Sequence, residues 1–379
     1  MRIALIVPGG LHPSGREQVA PFWLWLIERL AREHDVHAFA LRHLPEPSTY
    51  PLAGAAVHDL GRPQGQWAQW RGLLRALQSC GRFDVLHGYF AHPAGMLAAI
   101  AGRVLKTPSV VSCDSGEFVA FADIGYGSQL RPGGRAAVAI ACRLATSVHV
   151  TTRFMSDQAR VWGVAPVCIP VGVDTSRVVP RQPPAEGPPW RLLQVASLNP
   201  VKDQSTLLKA LRITRERLDV RLDLVGEDTL GGALQRHAAE TGLADAVSFH
   251  GWRPHDHLRP FHDAAHLYVQ SSRHEGGGVA VLEACAVGIP VVGTAVGYVS
   301  DLAPQGATAV PPNDPSALAA AIVRLLQNPA ERRAIADAAA PFAMSRNADW
   351  TAQQLVELYQ SLAGQASAHD GSDSEHTQR

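Results

Sequence analysis

The sequence has no run of about 18 apolar residues, the minimum for a membrane-spanning helix, so nothing in it is expected to cross a bilayer. It has no excess charge of either sign: Lys plus Arg and Asp plus Glu number 34 each. A balanced chain sets up no global field for a polyanion, and no zinc-finger or RNP-like pattern is present. A nucleic-acid partner is therefore not expected. Cysteine is sparse. Cys80, Cys113, Cys142, Cys168 and Cys285 are scattered, odd in number and include no CxxC pair. Such usage reads as reduced, cytosolic thiols that are mostly small core residues, and it makes the cytoplasm the expected location. The opening MRIALIVPGG has one charge and an apolar run too short for a signal peptide; a first buried strand fits it better.

What is present is a soluble globular balance, 46% apolar and 18% charged, over 379 residues, enough for two domains of ordinary size. Arg2 to Val7 reads as a strand ending at PGG. After the loop LHPSG, apolar residues at Val19, Phe22, Trp23, Leu26, Ile27 and Leu30 take helical spacing, with Pro21 tolerated in the first turn. Strand-like segments recur at 36–40, 83–87, 109–113, 147–151 and 167–170, with helical stretches between them. This alternation predicts βαβ units around a parallel sheet. The proline-dense VPRQPPAEGPP is a stiff linker, and beyond it the pattern restarts with WRLLQVASL and strands at 220–225, 247–250, 266–270 and 290–293. The expected organisation is an α/β chain of two doubly wound domains facing across a cleft. The first spans 1–175, the linker 176–190 and the second 191–345. A final amphipathic helix covers 346–364, and 365–379 form a polar, disordered tail.

The most informative stretch is RHEGGGVAVLEACAVGIPVV, Arg273 to Val292. It follows a strand, HLYVQ, and places Glu275 ahead of Gly276, Gly277 and Gly278. Glycines permit positive φ and close approach of a ligand, and a helix beginning near Val279 directs its free N–H groups to the same spot. That combination suits a phosphate. No G-K-[ST] follows, so it is not a Walker loop, and it is not the dinucleotide fingerprint. Glu283 falls on the second helical turn among apolar neighbours, where a carboxylate needs donors; a pair of ribose hydroxyls would supply two. Its alternative is a purely structural pairing with an amide or an Arg. Lys202, in VASLNPVKDQSTLLKAL, lies where a strand's loop enters a helix and can reach a phosphate, or can be an ordinary surface lysine.

Together these patches resemble the family-four retaining glycosyltransferases, whose fold is the two-Rossmann GT-B type. The likeness covers roughly Met1 to Leu362. Its most specific element is Glu, seven residues, Glu, in EGGGVAVLEACAVGIPVV. Looser matches are HGWRPHDHLRPFHDAAHLYVQSS, GTAVGYVSDL, IPVGVD and the Trp350-bearing last helix, which in that family crosses back onto the first domain. The resemblance implies transfer of a sugar, with retention of configuration, from a nucleotide sugar (UDP- or GDP-sugar foremost) to a glycan, lipid-linked or small-molecule acceptor. It implies no cofactor and no bound metal, and no DxD-like motif is evident. Carried over, Glu283 holds the donor ribose and Glu275 the sugar hydroxyls or phosphate side, while amides from Gly277 to Val279 face the sugar and diphosphate. Lys202 neutralises the leaving diphosphate, and Gly15 belongs to the loop that lets the first domain approach it.

The chain departs from that family's pattern at several positions. Ser197 stands where the family usually has Arg, five residues before its lysine, so Arg253 or Arg16 becomes the candidate second positive charge. Gly277 replaces an aromatic, Asp114 replaces the histidine that touches the donor sugar, and Val171 replaces the Asn of PNGVD. His87 and His92, in DVLHGYFAHPAG, are candidates for the acceptor side, each with a structural alternative. His250, His255, His257 and His262 are assigned no metal. Phe22, Trp23 and Trp25, with Arg131, Arg135 and Arg143, raise peripheral membrane contact at the inner face, although a core face plus solvated charges is the preferred reading. Two other functions share these features: a catalytically silent module that binds a sugar nucleotide, and a phosphorylase or epimerase on the same fold.

Overall fold

The computed structural model of the chain describes residues 1–62, 65–178 and 181–375. It divides into two compact units, Met1–Val171 with Ala348–Arg379, and Gly172–Asn347.

The first unit is built on eight strands: β1 (Arg2–Val7), β2 (Asp35–Ala40), β3 (Ser48–Leu52), β4 (Ala55–Asp59), β5 (Val85–Tyr89), β6 (Ser109–Ser112), β7 (Ser147–Val150) and β8 (Val167–Cys168). Their order across the sheet is β3-β4-β2-β1-β5-β6-β7-β8, and every pairing is parallel except the β3–β4 hairpin. Helices cover a parallel sheet on both faces, which is why β1 reads as an unbroken apolar run and is buried from Ile3 to Val7. The hairpin was not foreseen. Its two-residue loop is Ala53-Gly54, both at positive φ (51° and 86°), in place of the stronger Asn-Gly signal.

The final helix, Ala348–Glu375, follows the second unit in sequence but belongs to the first. Ala352, Leu355, Tyr359 and Leu362 recur at helical spacing and join the core formed by Leu26, Ile27, Leu30 and Ile169. Asp349 anchors its start, 3.1 Å from Arg29 and 3.0 Å from Arg32. This is the return onto the first domain that the family resemblance implied. The helix runs on through residues 365–375, which the sequence reading had placed in a tail. Residues 376–379 lie outside the described residues.

The second unit has six strands, all parallel: β9 (Trp190–Val195), β10 (Val220–Val225), β11 (Val247–Phe249), β12 (Leu267–Gln270), β13 (Val291–Thr294) and β14 (Thr308–Val310). Their order is β11-β10-β9-β12-β13-β14, the doubly wound 3-2-1-4-5-6 arrangement. One face is sealed by Leu207, Leu208 and Leu211 from one helix and Leu318, Ile322 and Leu325 from another. Of the proline-rich stretch, Val179 and Pro180 lie outside the described residues, and its later part is tied to the second unit. Arg181 donates to the carbonyl of Ala265 at 2.5 Å, His266 Nε2 to that of Ala185 at 3.1 Å, and Arg332 pairs with Glu186.

Candidate functional site

In the second unit the strand order reverses between β9 and β12, which pair through Leu192–Leu267 and Leu193–Tyr268. Ligands of doubly wound sheets bind beyond the carboxyl ends of strands at this reversal, because the two outgoing loops diverge and leave a crevice. The loop leaving β9 carries Ser197 and Lys202, and the loop leaving β12 carries Glu275 and the three glycines. Both loops are stitched to each other. Arg273 N–H donates to the Val201 carbonyl at 2.7 Å, Ser271 Oγ to the Lys202 carbonyl at 2.8 Å, and Gln194 Nε2 to Ser271 Oγ at 3.1 Å. Asp203 then caps the next helix, accepting from Thr206 N–H at 3.2 Å, so Lys202 leaves the loop at a defined place.

Lys202 Nζ lies 2.6 Å from Glu275 Oε1, with the side chains only 24% and 10% exposed. The same oxygen accepts from Ser272 Oγ at 2.6 Å. A largely buried carboxylate is tolerable here because it holds two donors, one of them charged. His274, beside the pair, is buried, and burial pushes its pKa down to about 4, so it stands as a neutral imidazole.

Gly278 precedes the helix Val279–Ala286 with φ near +86°, which favours glycine, and a Cβ there would also press on the end of the Gln270 side chain, 2.8 Å from its Oε1. The carbonyl of Gly277 accepts from Tyr298 N–H at 2.8 Å. Gly297, at φ near +54°, lets that next helix approach: its Cβ would stand 2.3 Å from the Gly277 oxygen and 2.8 Å from Glu275 Cβ. The glycine loop is thus held from behind; Val281 N–H donates to the Gly278 carbonyl at 2.9 Å, and the N–H groups of Val279 and Ala280, at the start of Val279–Ala286, are suited to an anion.

Glu283, on the second turn of that helix and 12% exposed, accepts from His255 Nε2 at 3.0 Å. Burial pulls the His255 pKa down, but the hydrogen bond and charge of Glu283, with Asp174 and Asp256, outweigh it and leave a net rise. His255 was seen in the sequence only as one of four spaced histidines, and that set diverges. His250 bonds Asp223 at 2.7 Å, His262 is buried and His257 is exposed. Ser272, His274, Gln270 and Gly297 carried no signal beyond lying near the glutamate motif.

Not every sequence candidate joins this cluster. Ser197 lies in the β9 loop, where its carbonyl accepts from Gln204 Nε2 at 3.2 Å. Arg253 is exposed in the loop after β11, the edge strand two places from β9. In the first unit Gly15, with φ near +64°, and the exposed Arg16 lie in the loop after β1, and the exposed His92 follows β5. Those two strands are the neighbours at that sheet's own reversal.

One first-unit candidate needs correction. His87 does not line an acceptor surface: it is fully buried, with Nδ1 2.5 Å from Tyr359 Oη and Nε2 2.8 Å from Ser112 Oγ. Asp114, just past the end of β6, accepts from Thr151 N–H at 2.9 Å, and burial raises its pKa to about 7. Trp23 and Trp25 are buried, as a core face requires.

Two family models match this chain. Residues 177–341 match the model "Glycosyl transferases group 1" and residues 19–172 match "Glycosyl transferase 4-like domain". The chain belongs to the group 1 glycosyltransferases. Within that family it is similar to a D-inositol 3-phosphate glycosyltransferase of Corynebacterium urealyticum, 34% identical over 178 residues, which are 44% of this chain and 42% of the relative. That match therefore spans less than half the length of the relative. Among solved structures, the fold of this glycosyltransferase is similar to sucrose-phosphate synthase from Thermosynechococcus elongatus (TM-score 0.79, 22% identity, 96% of this chain and 99% of that one). It is similar also to Anabaena HepE in complex with UDP-glucose (TM-score 0.73, 20% identity, 95% and 100%). Both likenesses show the GT-B fold. Among the described residues, no helix is long and apolar enough to cross a membrane.

Proposed function

We propose that this glycosyltransferase takes its sugar from a UDP- or GDP-sugar and transfers it with retention of configuration, without a metal ion, to a hydroxyl of a glycan, lipid-linked or small-molecule acceptor. The observation that carries the reading is the Lys202–Glu275 pair at the β9/β12 reversal, set against the glycine-led start of the helix Val279–Ala286. As the bond from the sugar's anomeric carbon to the diphosphate breaks, negative charge grows on the leaving oxygen. Lys202 and the free amides of the helix start are suited to stabilise it there, so no cation is needed for that task. Glu275 is placed to accept from sugar hydroxyls with the oxygen lone pairs Lys202 and Ser272 leave open. Glu283 is placed one helical step away to accept from the ribose.

The named relatives support a nucleotide-sugar donor and a polyol or glycan acceptor, HepE having been solved with UDP-glucose and the Corynebacterium relative being named for an inositol phosphate. The test is a panel of UDP-, GDP- and ADP-sugars, read by nucleotide-induced thermal shift, slow donor hydrolysis and transfer to polyol phosphates and glycans. Activity insensitive to EDTA, with the product's anomeric configuration equal to the donor's by NMR, is the expected result. Nucleotide binding with no turnover on any acceptor would favour a silent module instead, and a requirement for free phosphate would favour phosphorolysis.

A further inference from the structure

We propose that the first unit holds a second, unrelated site: a metal centre for a borderline-soft divalent cation, Zn²⁺ foremost, formed by His37 Nδ1, His58 Nε2 and Cys80 Sγ. These three residues are 21 and 22 positions apart and match no ligand spacing, so only the fold joins them. In the parallel β2–β4 register, His37 pairs with Ala56 and Phe39 with His58. The two-residue pleat therefore turns both imidazoles to one face of the sheet, a diagonal step apart. Cys80 caps the C-terminal end of the helix Gln66–Ser79, which packs on that face through Leu73 and Leu77 against Phe39 and Phe83.

The three ligand atoms all lie within 4.8 Å of one another. His37 Nδ1 is 2.9 Å from His58 Nε2, the ring planes are 2° apart, and Cys80 Sγ is 3.6 Å from His58 Nε2. A tetrahedral zinc with bonds of about 2.0–2.1 Å to nitrogen and about 2.3 Å to sulfur needs edges of roughly 3.3 Å between nitrogens and roughly 3.6 Å from nitrogen to sulfur. The His58–Cys80 separation already equals that edge, and the His37–His58 separation is a few tenths of an ångström short of its own.

The outer partners are also in place. A ligating imidazole ordinarily donates its other N–H to an oxygen acceptor, which fixes the tautomer. His37 Nε2 lies 3.3 Å from Asp35 Oδ1, and His58 Nδ1 lies 3.4 Å from Thr49 Oγ1. Arg2 also approaches His37 Nε2, at 3.3 Å, but its charge is paired with Asp35 at 2.8 Å. All three ligands are half-buried, so an ion has access and water can complete the fourth position. Two imidazoles and a thiolate favour zinc over the hard cations magnesium and calcium. Bound there, the ion would join two strands to the end of a helix, and its contribution would be to the stability of the first unit.

The test uses the full chain, stripped with chelator and titrated with Zn²⁺ and with Co²⁺ under reducing conditions. The expected result is one ion per chain, a rise in melting temperature, and a near-ultraviolet thiolate-to-cobalt charge-transfer band. Cys80→Ser abolishes the band, His58→Ala lowers affinity at least tenfold, and Cys168→Ser, which alters the exposed thiol, changes neither. All three variants should keep the far-ultraviolet circular dichroism and the cooperative melting of the metal-free parent, which separates loss of metal from loss of fold. No stoichiometric binding by the intact chain, or binding undiminished in both Cys80→Ser and His58→Ala, overturns the proposal.

Discussion

Lys202 and Glu275 are separated by 73 positions in sequence, yet their charged atoms lie 2.6 Å apart where the second sheet reverses its strand order. The proximity follows from topology: β9 and β12 are neighbours, and each residue sits in the loop its strand delivers. With a diphosphate bound, Lys202 gains a second anionic partner, while Ser272 keeps Glu275 from being left without a donor. Lys202→Ala should therefore lower kcat by about 10²–10³, as loss of a single group stabilising leaving-group charge typically does, with a smaller change in nucleotide affinity. Steady-state kinetics beside calorimetric titration with the nucleoside diphosphate separate the two. Unchanged kcat would remove Lys202 from the mechanism.

Glu283 is held by His255 at 3.0 Å and is only 12% exposed. Glu283→Ala should weaken binding of the free nucleotide about tenfold or more, the effect of losing roughly 1.4 kcal/mol of hydrogen bonding to the ribose. The comparison that isolates the ribose is the 2′,3′-dideoxynucleotide, which the parent and the variant should bind alike. If the variant loses affinity for the dideoxy analogue just as steeply, the ribose assignment fails.

Gly297 supports the loop Gly276–Gly278 from behind without presenting any functional group. Gly297→Ala would push a methyl to 2.3 Å from the Gly277 carbonyl at a backbone φ that already disfavours a side chain. A loss of about 1–3 kcal/mol in stability and a raised KM for the donor are expected. Gly15→Ala has the same φ penalty, but its nearest neighbour is the flexible Leu52 Cδ1 at 3.4 Å, so its effect on stability should be milder. Equal melting temperatures for the two variants would show that the crowding around Gly297 is not real.

The last helix is joined to the first sheet by a buried polar chain whose direction can be assigned. The Ile169 carbonyl accepts from His149 Nε2 at 2.8 Å, so His149 Nδ1 accepts from Ser112 Oγ at 2.7 Å. Ser112 in turn accepts from His87 Nε2, leaving His87 Nδ1 to accept from Tyr359. Tyr359→Phe strands that nitrogen at a cost of about 1–3 kcal/mol. Urea unfolding should show it, and a difference under about 0.5 kcal/mol would argue against the assigned chain.

The same region should be sensitive to pH from both sides. Burial pushes His149 down to about 4 and His87 well below its ordinary value. Their folded pKa values are depressed, so their contribution is present above about pH 6.5 and is lost as pH falls toward 4. Glu117 is opposite: burial first, with the Asp114 charge adding, raises it from 4.5 to about 7 against hydrogen bonds from Ser115 and Ala91. Folding then takes up a proton between those values, and its contribution is lost as pH rises through 7. Glu117→Gln should gain stability relative to the parent on going from pH 5 to pH 8. Melting curves that shift in parallel across that range would contradict the raised pKa.

Much of the fold was legible because its signals are local. Apolar runs, turn residues and the proline-dense stretch marked most of the parallel strands and the restart at WRLLQVASL. The β3–β4 hairpin escaped because Ala-Gly is a weak turn signal, and β14 because three residues carry little pattern. In the site, the glycine run and the two glutamates could be read, since a helix start and its spacing are encoded within one segment. His255 could not be matched to Glu283, nor Ser272 to Glu275, without knowing how the loops lie.

By itself, then, the sequence determined two alternating α/β units, a glycine-led helix start carrying Glu275 and Glu283, and a lysine at the mouth of a helix. Periodicity, capping and turn chemistry act within about a dozen residues, so one segment suffices to specify them. Only the tertiary structure decided that Lys202 meets Glu275, that His87 is a buried link to Tyr359 instead of a surface group, and that His37, His58 and Cys80 converge. Those contacts depend on strand order, parallel register and the direction in which each loop leaves the sheet, and these are settled by packing among segments far apart in the chain.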